Sequence, residues 1–449
     1  MKKYQLSRGA DFVLRRLREK GYEGYLVGGC LRDFLLGLEP KDFDITTSAR
    51  PEELERIFAD QKLVKLGKAF GTIGILYEDQ LVETTTFRCD GVYKDGRRPE
   101  AVSFSSSLQE DLKRRDFTIN AMAMDLDGKI YDPFQGQEDL HKGLLRAVGD
   151  PFIRFEEDKL RMLRAVRFAS TYDFTIEERT LAAIKAKAKD LRQVSAERIR
   201  TEVDKILLGH QPSRGLRILA ETGLLGQIFP DLVATLGFVQ CSPYHDKDLF
   251  GHIIETVDRS PRVLHLRLAA LLHDIGKVDT LTIDENGLGH FYGHDQLGAQ
   301  RAGEILKDLR YDKKTIDKVQ KLIDRHMKAS PQMGTKGLKR LIGKVGEDLI
   351  FDLLDLMIAD LLATRPDRDP GFLIERKKQV QEILDCKSLI DKRSLAISGH
   401  DLIDLGYQEG RKIGLVLDYL TDQVLDEKIA NNKEDLLVEA KKLQEKFND

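Results

Sequence analysis

Strand-like segments are confined to about the first third of this chain of 449 residues, and helical patterns fill the rest. Short runs rich in β-branched and aromatic residues predict strands at 24–27, 43–46, 71–77 and 81–88. After about residue 146, apolar residues recur at the spacing of amphipathic helices. The sequence therefore predicts an α+β protein, in which an α/β head with a small mixed sheet precedes an extended all-α region.

The helical patterns of this second region are long and closely spaced. Two more lie in the head, at 9–20 and from Pro51 onward, where a proline in the first turn and nearby acids favour a helix start. The helices predicted after the head lie at 156–171, 177–190, 195–208, 214–224, 252–259, 263–275, 296–309, 312–328, 347–364, 371–388 and 411–444.

Composition limits the class of protein. No apolar run reaches the ~18 residues of a membrane span, and the N-terminus lacks the apolar core of a signal peptide. We therefore expect a cytoplasmic protein that makes no use of a membrane. The four cysteines form no Cys-x-x-Cys pair, which argues against a disulfide framework or a zinc knuckle. The net charge of -3 does not predict nucleic-acid binding, so an RNA partner would need a local basic surface.

A glycine loop and two acidic residues lie close together near the N-terminus. Gly28 and Gly29 let the backbone approach a phosphate, and Arg32 can pair with that phosphate. Asp42 and Asp44 are two apart, and on a strand they would share one face, where their repulsion favours a common cation. Such oxygen ligands suit Mg²⁺, which completes its shell with water and substrate phosphates. A solvated strand edge or an exposed turn is the alternative explanation.

Further arginines follow at two places. Arg115 precedes an apolar segment and can place a guanidinium on a triphosphate, although a helix start with an ion pair is the simpler alternative. On a predicted helix, Asp158 and Arg161 are three residues apart, so their side chains can meet and offer an acceptor and a donor to a base. Arg164 and Arg167 continue along that face. Surface salt bridges, each worth little, would give the same spacing.

A larger pattern connects these motifs. The segments that form this pattern are, in the order of the sequence, 26–33, 42–45, 83–88, 97–99, 111–124, 132–146, 157–168 and 197–199. Over roughly the first half of the chain, they closely resemble the class II tRNA nucleotidyltransferases, a family of CCA-adding enzymes and bacterial poly(A) polymerases. The resemblance implies a nucleotidyltransferase head. It also implies template-independent addition of CCA to the 3′ end of tRNA from CTP and ATP, with release of pyrophosphate.

The resemblance also implies residue roles. The acid pair would bind catalytic Mg²⁺, the glycine loop and its arginine would contact the triphosphate, and the Glu-Asp-x-x-Arg segment would select the base. Residues 88–99 look like the flexible loop of enzymes that add the final A, which favours complete CCA addition but leaves an A-adding enzyme or a poly(A) polymerase open. The implied residues are Asp42, Asp44 and Arg115 for catalysis, and Gly28, Gly29, Arg32, Arg115, Asp158, Arg161, Arg164 and Arg167 for nucleotide binding.

A second set of histidines and aspartates lies in the helical region. An adjacent His-Asp pair at 273–274, with further histidines on either side, resembles the HD phosphohydrolase superfamily. Mixed imidazole and carboxylate ligands suit Mn²⁺, Fe²⁺, Ni²⁺ or Zn²⁺. The resemblance implies phosphatase or 2′,3′-cyclic phosphodiesterase chemistry on RNA ends, with a structural relic as the alternative. The candidate ligands are His252, His273, Asp274, His294, His326 and Asp360.

We expect four regions along the chain. They are a catalytic nucleotidyltransferase head at 1–145, a helical neck and body for nucleotide selection and RNA binding at 146–245, an HD metal-binding domain at 246–365, and a tRNA-binding helical tail at 366–449. Two other functions remain open. One is an HD-type phosphohydrolase whose head only senses nucleotide or RNA. The other is an RNA-binding scaffold without catalysis, against which the intact acid pair argues.

Overall fold

The chain divides into two structural units, Met1–Pro230 and Asp231–Asp449. The structure is a computed structural model. It describes residues 6–67, 71–90, 102–241, 247–364, 369–385, 395–408, 410–425 and 428–447.

Strands occur mainly in the first unit, as the sequence predicts. The first strand occupies the predicted 24–27, and the second begins one residue later than the predicted 43–46. The strands are β1 (Gly24–Val27), β2 (Asp44–Thr47), β3 (Lys62–Gly67), β4 (Thr72–Tyr77), β5 (Gln80–Thr86), β6 (Arg88–Asp90), β7 (Val102–Phe104), β8 (Ala123–Met124), β9 (Ile130–Tyr131), β10 (Leu144–Leu145), β11 (Thr175–Ile176), β12 (Thr282–Ile283) and β13 (Gly289–His290).

Seven of these strands form one mixed sheet in the order β3-β4-β5-β2-β1-β8-β9. Its neighbours are antiparallel except for β2 and β5, which run parallel. The strand β2 is therefore internal, with β1 on one side and β5 on the other. Beneath the sheet, Val13 and Leu17 of the first helix belong to the same buried core as Ile45 of β2 and Ile73 of β4. This burial of apolar surface fixes β2 in place.

The helices of the first unit surround the sheet and then continue beyond it. Ser7 caps the first helix, because its hydroxyl oxygen accepts a hydrogen bond from the Ala10 amide at 3.1 Å. The helices are α1 (Arg8–Glu19), α2 (Gly29–Leu35), α3 (Pro51–Ile57), α4 (Leu108–Lys113), α5 (Gly136–Lys142), α6 (Pro151–Glu157), α7 (Leu160–Tyr172), α8 (Glu178–Lys187), α9 (Ala196–Leu207), α10 (Pro212–Thr222) and α11 (Leu225–Ile228).

The single helix predicted at 156–171 is wrong in one respect. The structure has two helices there, α6 and α7, and Asp158 lies between them with an extended backbone (φ -143°, ψ 105°). Its carboxylate accepts a hydrogen bond from the Leu160 amide at 3.1 Å, which satisfies a free donor at the start of α7. Side-chain competition for the backbone thus breaks a helix that apolar periodicity alone would continue.

The second unit is almost entirely helical. Its predicted helix at 411–444 is instead two helices, and Asn432 starts the second by accepting a hydrogen bond from the Asp435 amide at 2.9 Å. No helix among the described residues is long and apolar enough to cross a membrane. From the boundary onward, the helices are α12 (Pro230–Val233), α13 (Leu249–Arg259), α14 (Leu264–Leu272), α15 (Lys277–Thr280), α16 (His294–Asp308), α17 (Lys313–Arg325), α18 (Thr335–Val345), α19 (Ile350–Thr364), α20 (Gly371–Asp385), α21 (Gly399–Asp404), α22 (Arg411–Leu425) and α23 (Lys433–Phe447).

Candidate active site and candidate metal centre

The last residue of β1 and the first residue of β2 are neighbours, at the same end of these two internal strands. The register pairs Val27 with Asp44, so the glycine that follows β1 comes next to the first residue of β2. Asp42 lies in the bend before β2 and not on the strand itself. Asp42 and Asp44 therefore do not share one strand face, and this prediction is wrong, but both acids line the same cavity.

This cavity has a volume of about 650 Å³ and a strongly basic lining. Eight of its residues carry a cationic side chain and four carry a carboxylate, which leaves a formal surplus of four positive charges (8 − 4). Such a surplus attracts a polyanion such as a triphosphate. The cavity contains all ten residues that the sequence predicts for catalysis or nucleotide binding. Its lining is Gly28, Gly29, Arg32, Asp42, Asp44, Arg114, Arg115, Asp116, Asn120, Asp158, Leu160, Arg161, Arg164, Arg167, Phe168, Arg198 and Lys205.

Gly28 occupies a position that a side chain would obstruct. Its φ of +72° lies in the left-handed region, which disfavours residues with a Cβ atom. A Cβ at this position would lie 3.1 Å from Nη1 of Arg115 and 3.6 Å from Oδ2 of Asp44. The glycine therefore keeps open the space between the buried arginine and the acid of β2.

Arg32 is held rigidly at the cavity wall. Its Nε and Nη2 donate to Oδ1 of Asp33 at 3.0 and 2.8 Å, and its Nη1 donates to Oδ1 of Asn120 at 2.8 Å. The guanidinium carbon lies 4.6 Å from the centroid of the Tyr172 ring and 5.2 Å from that of Phe168. Contacts of this kind fix a guanidinium before a ligand arrives.

The guanidinium of Arg115 has fewer hydrogen-bond partners than that of Arg32. The nearest oxygen of Asp111 is 3.6 Å from its Nη2. Its Nε is buried and has no hydrogen-bond acceptor among the described residues. Burial lowers the pKa of Arg115, and the carboxylates of Asp111 and Asp44 oppose that shift. Arg115 is therefore a cation with donor capacity left for an anionic ligand.

The electrostatics of Asp44 fit a cation site. Burial raises the pKa of Asp44, Arg115 opposes the shift, and the neighbouring charges of Glu83 and Asp42 raise it further. Glu83 lies directly opposite Asp44 in the parallel pairing of β2 with β5, but it is not among the residues that line the cavity. A bound cation would relieve the repulsion among these acids.

The side chains of Asp158 and Arg161, which are predicted to select the base, are not paired with each other in the structure. Oδ1 and Oδ2 of Asp158 accept from Nη2 of Arg198 at 3.1 and 2.9 Å. Nη1 of Arg161 donates instead to Glu157 at 2.6 Å and to the carbonyl of Arg154 at 3.1 Å, while its Nη2 donates to the carbonyl of Arg114 at 3.0 Å. The expected direct contact between Asp158 and Arg161 is wrong, and each side chain is oriented by a different partner.

The remaining two predicted arginines are also paired with acids. Nε and Nη2 of Arg164 donate to Oδ2 of Asp116 at 2.8 and 2.5 Å. Burial raises the pKa of Asp116, but the charge of Arg164 and the hydrogen bond from Asn120 outweigh it and hold that pKa well below its usual range. Nε of Arg167 donates to Glu202 at 2.6 Å. Both arginines thus have fixed positions in the wall.

Sequence reasoning missed several residues of this site. Arg198 and Lys205 line the cavity from α9, and Asp116 and Asn120 orient the arginines. Asp116 directly follows Arg115 in the sequence, and this charged pair at an apolar boundary is a usable signal. Arg198 lies in the segment 197–199 of the family resemblance, but its role could not be predicted because its contact with Asp158 spans 40 residues.

The six predicted metal ligands converge in the second unit. They form two groups that share Asp274, and the potential ligand atoms of each group lie within 4.8 Å of one another. The first group has a distance of 2.9 Å between Nε2 of His252 and Oδ1 of Asp360, and 3.1 Å between Nε2 of His273 and Oδ2 of Asp274. The groups are His252, His273, Asp274 and Asp360, and then Asp274, His294 and His326.

Three of these histidines present the same ring nitrogen. Nδ1 of His273, His294 and His326 lies 2.8, 2.7 and 2.6 Å from the carbonyls of residues 270, 291 and 323. A carbonyl only accepts, so Nδ1 must carry the proton, and the Nε2 of a neutral ring faces the cluster with a lone pair. Burial, reinforced by the positive charge of His273, lowers the pKa of His326 to about 4, which keeps that ring neutral. Burial also acts to lower the pKa of His273, but the carboxylates of Asp274 and Asp360 outweigh it and raise that pKa to about 10, so a cation would have to displace the proton from its Nε2.

Three stretches of the chain match known protein families. Residues 24–146 match the Poly A polymerase head domain, residues 173–236 match the family described as Probable RNA and SrmB-binding site of polymerase A, and residues 293–440 match tRNA nucleotidyltransferase domain 2. The first match contains the acid pair, the glycine loop and Arg115.

Relatives match along nearly the whole chain. The CCA-adding enzyme of Levilactobacillus brevis is 37% identical over 426 residues, which are 94% of each chain. That of Geobacillus thermodenitrificans is 50% identical over 212 residues, which are 47% of this chain and 52% of the other. The crystal structure of the Bacillus stearothermophilus CCA-adding enzyme in complex with CTP has a TM-score of 0.71 and 29% identity, and 98% of each chain is covered. The predicted fold class is thereby confirmed.

Proposed function

The chain belongs to the family of CCA-adding enzymes, and from this premise we propose that it adds CCA to the 3′ end of tRNA. The substrates are CTP, ATP and a tRNA that lacks its terminal nucleotides. In each step the oxygen of the terminal RNA hydroxyl forms a bond to the α-phosphorus of the triphosphate. The bond between the α-phosphorus and the oxygen that bridges to the β-phosphate breaks, so pyrophosphate leaves. The hydroxyl proton is released. The observation that supports this most is the cavity that joins Asp42 and Asp44 to a surplus of cations.

We assign Asp42, Asp44 and Arg115 to catalysis. The two carboxylates fit a magnesium site, because Mg²⁺ takes one or two protein carboxylates together with substrate phosphates. When bound, the ion supplies charge neutralisation at the reacting phosphate and activation of the hydroxyl. Arg115 directs its unsatisfied Nε–H into a buried environment where one added hydrogen bond to a phosphate oxygen is strong.

The triphosphate itself would lie along the glycine loop. Gly28 and Gly29 expose backbone without a side chain, and Arg32 presents a guanidinium already fixed by Asp33 and Asn120. Because the guanidinium is ordered in advance, binding the phosphate loses little side-chain entropy. Positioning and electrostatics then account for most of the rate, since no protein nucleophile is required.

Asp158 and Arg161 would choose the base, each held by its own partner. Cytosine and adenine both carry an amino group, which donates, beside a ring nitrogen, which accepts; uracil and guanine reverse this pattern. Asp158 only accepts and Arg161 only donates, so together they match cytosine and adenine. Three of the five N–H groups of Arg161 are used within the described part of the chain, which leaves two for a base. Arg164 and Arg167 complete the pocket wall.

The roles of the four regions along the chain are also a proposal. We retain the head at 1–145, the neck and body at 146–245, the metal-binding domain at 246–365 and the tRNA-binding tail at 366–449. The loop at 88–99, which favours complete CCA addition and leaves A addition or poly(A) synthesis open, falls outside the described residues from 91 onward. A cytoplasmic location is proposed because Cys30, Cys89 and Cys241 are free thiols.

An extension assay tests this proposal. The protein is incubated with tRNA lacking its last three nucleotides, Mg²⁺, labelled CTP and ATP, and the product is sized. We expect three added nucleotides, and long A tails would instead identify a poly(A) polymerase. Asp42→Ala is expected to abolish extension, whereas Asp127→Ala, an exposed acid paired with Arg18, should leave it unchanged. Normal extension by Asp42→Ala would overturn the assignment of the acid pair.

A second activity is favoured by the cluster around Asp274. We propose that it binds a divalent transition metal, Mn²⁺, Fe²⁺, Ni²⁺ or Zn²⁺, because its donor set mixes imidazole nitrogen with carboxylate oxygen. Phosphohydrolase chemistry on RNA ends is the activity that such a centre could carry. Metal analysis of His273→Ala against the parent protein tests the site, and unchanged transition-metal content would overturn it.

A further inference from the structure

We infer that Tyr172, the last residue of α7, is a positioning residue for nucleotide binding, because it holds Arg32 in the direction that meets the triphosphate. We base this on the proposed function, in which Arg32 contacts the triphosphate. Tyr172 is not among the described residues that line the cavity, whereas Arg32 is. The tyrosine would therefore act through the arginine and not on the substrate itself.

The pair formed by Arg32 and Asp33 needs an anchor from outside its own helix. These two residues are adjacent on α2, and adjacent residues of a helix do not face each other. Nε and Nη2 of Arg32 nevertheless both donate to Oδ1 of Asp33, at 3.0 and 2.8 Å. The hydroxyl of Tyr172 donates to the same oxygen at 3.0 Å, from 139 residues further along the chain. This bond fixes the carboxylate where the guanidinium can reach it.

The ring of Tyr172 makes a second contact with the same guanidinium. The guanidinium carbon of Arg32 lies 4.6 Å from the centroid of this ring and 5.2 Å from that of Phe168, one helical turn earlier. The Tyr172 ring is itself held by Phe168 and Phe174, whose centroids are 6.2 and 5.7 Å away. A cation against an aromatic ring is stabilised when water is excluded, and the Arg32 side chain is only 7% exposed. The ring therefore orients the face of the guanidinium, while Asp33 orients its edge.

The hydroxyl of Tyr172 is suited to act as a constant donor. Burial raises the pKa of Tyr172 to about 12, the charge of Arg32 opposes this shift, and the charge of Asp33 reinforces it. The hydroxyl thus keeps its proton at neutral pH. Tyr172 therefore supplies a hydrogen bond to Asp33 without adding an anion that would compete with a phosphate for Arg32.

The position of Tyr172 on α7 connects the two ends of the nucleotide site. The same helix carries Arg164 and Arg167, which are proposed to form the wall of the base pocket. The Phe168 ring lies 5.4 Å from the guanidinium carbon of Arg164 and 4.0 Å from that of Arg167. One helix thus sets the direction of the triphosphate arginine and carries the arginines of the base pocket. Tyr172 is the residue that links this helix to α2 by both a ring contact and a hydrogen bond.

Binding of inorganic triphosphate tests the inference without a base. Its affinity in the presence of Mg²⁺ is measured by calorimetry, and kcat and KM for CTP are measured by RNA extension. We expect Tyr172→Leu, which removes the ring and the hydroxyl, to weaken triphosphate binding about tenfold. KM for CTP should rise by the same factor and kcat should change less than about twofold, because the lost contact is made before and during the reaction. Parent-like triphosphate affinity would overturn the inference.

A more conservative variant separates the two contacts. Tyr172→Phe keeps the ring and removes only the hydrogen bond to Asp33, so we expect a loss of triphosphate affinity of about threefold. This variant also decides the question if Tyr172→Leu fails to fold, and no loss in it would then overturn the inference. Tyr419→Phe is the matched control, since its hydroxyl donates to Glu439 at 3.3 Å in the second unit and its loss should leave the affinity unchanged.

A double-mutant cycle shows whether Tyr172 acts through Arg32. In an Arg32→Ala background there is no guanidinium to orient, so Tyr172→Leu is expected to cause no further loss of triphosphate affinity. A second loss of the same size would mean that the tyrosine supports the site in another way, and would overturn the inference. Unchanged affinity in Arg32→Ala alone would instead remove Arg32 from the triphosphate site and contradict the proposed function at that residue.

Discussion

Arg198 holds Asp158 by donating one N–H nitrogen to both carboxylate oxygens, at 3.1 and 2.9 Å, across 40 residues of sequence. Both residues line the cavity, and both side chains are mostly buried, at 20% and 17% exposure. The direction of the carboxylate that we propose selects the base is therefore set by α9. The family resemblance includes residues 197–199 of this helix, but the sequence predicts no role for them.

We predict that Arg198→Ala weakens the choice of nucleotide. Without the guanidinium, the carboxylate of Asp158 can rotate, and the matched acceptor for an amino group is lost. We expect kcat/KM for CTP to fall about 10- to 100-fold, or about 1.4 to 2.8 kcal/mol, and discrimination against UTP to fall with it. Arg179→Ala, which removes an exposed pair with Asp150, is the control. Unchanged discrimination in Arg198→Ala would contradict this role.

Gly28→Ala is expected to damage the active site through steric intrusion. The new methyl would lie 3.1 Å from Arg115 and 3.6 Å from Asp44, in the space assigned to the triphosphate. We expect kcat/KM for nucleotide to fall more than tenfold, which corresponds to about 1.4 kcal/mol or more. Gly21→Ala is a matched control, because Gly21 has a similar φ of +80° but no atom within 4 Å of its Cβ position. Equal loss in both variants would mean that backbone strain alone is responsible.

Asp116 should stabilise the first unit in a pH-dependent way. Asp116→Asn removes the charge that faces Arg164. Because the Arg164 side chain is 35% exposed and solvent weakens the pair, we expect the free energy of unfolding to fall by about 2 kcal/mol, less than for a fully buried pair. Because the folded-state pKa of Asp116 is lowered, its contribution is complete above the unfolded value of about 3.9 and is lost as the pH falls through the folded value.

Urea denaturation of the parent and Asp116→Asn at several pH values measures this contribution. The difference in unfolding free energy should be constant from pH 5 to 7 and should decrease only below about pH 4. Asp127→Asn, at an acid whose side chain is 73% exposed and paired with Arg18, should leave the unfolding free energy unchanged within error. A similar loss in both variants would contradict the importance of burial at Asp116.

Cys30 is expected to be chemically inert in the folded protein. Burial raises its pKa to about 11, and its thiol donates to the carbonyl of Val27 at 3.1 Å. At pH 8 only about one thiol in a thousand would be ionised. The whole residue is only 3% exposed. With iodoacetamide and peptide mass spectrometry, Cys89 and Cys241 should react on the order of a hundredfold faster. Comparable rates without denaturant would contradict this prediction.

Much of the fold follows from local sequence patterns. The strand at 24–27 and the helices of the second region were predictable, because apolar periodicity and capping act over a few residues. The helix Thr335–Val345 was not predicted, since its glycines at 337 and 343 weaken the helical signal. The break at Asp158 was also missed, because it depends on a carboxylate that captures a backbone amide.

The site was predictable as a set of residues but not as an arrangement. Short motifs identified ten of the seventeen cavity residues and the six candidate ligands, whereas the register of Val27 with Asp44 is a long-range property of the sheet. The same limit explains why Arg161 was expected to contact Asp158. An i, i+3 rule applies only within a continuous helix, and Glu157, four residues before Arg161, became the partner instead.

The cavity also constrains the protein during its synthesis. Its walls extend along the chain from Gly28 to Lys205, so the loop and acids leave the ribosome long before α9 does. The sheet is likewise incomplete until β8 and β9 have been synthesised, about a hundred residues after β1. A chain that ends before Lys205 therefore lacks part of the cavity wall, and we expect it not to extend RNA.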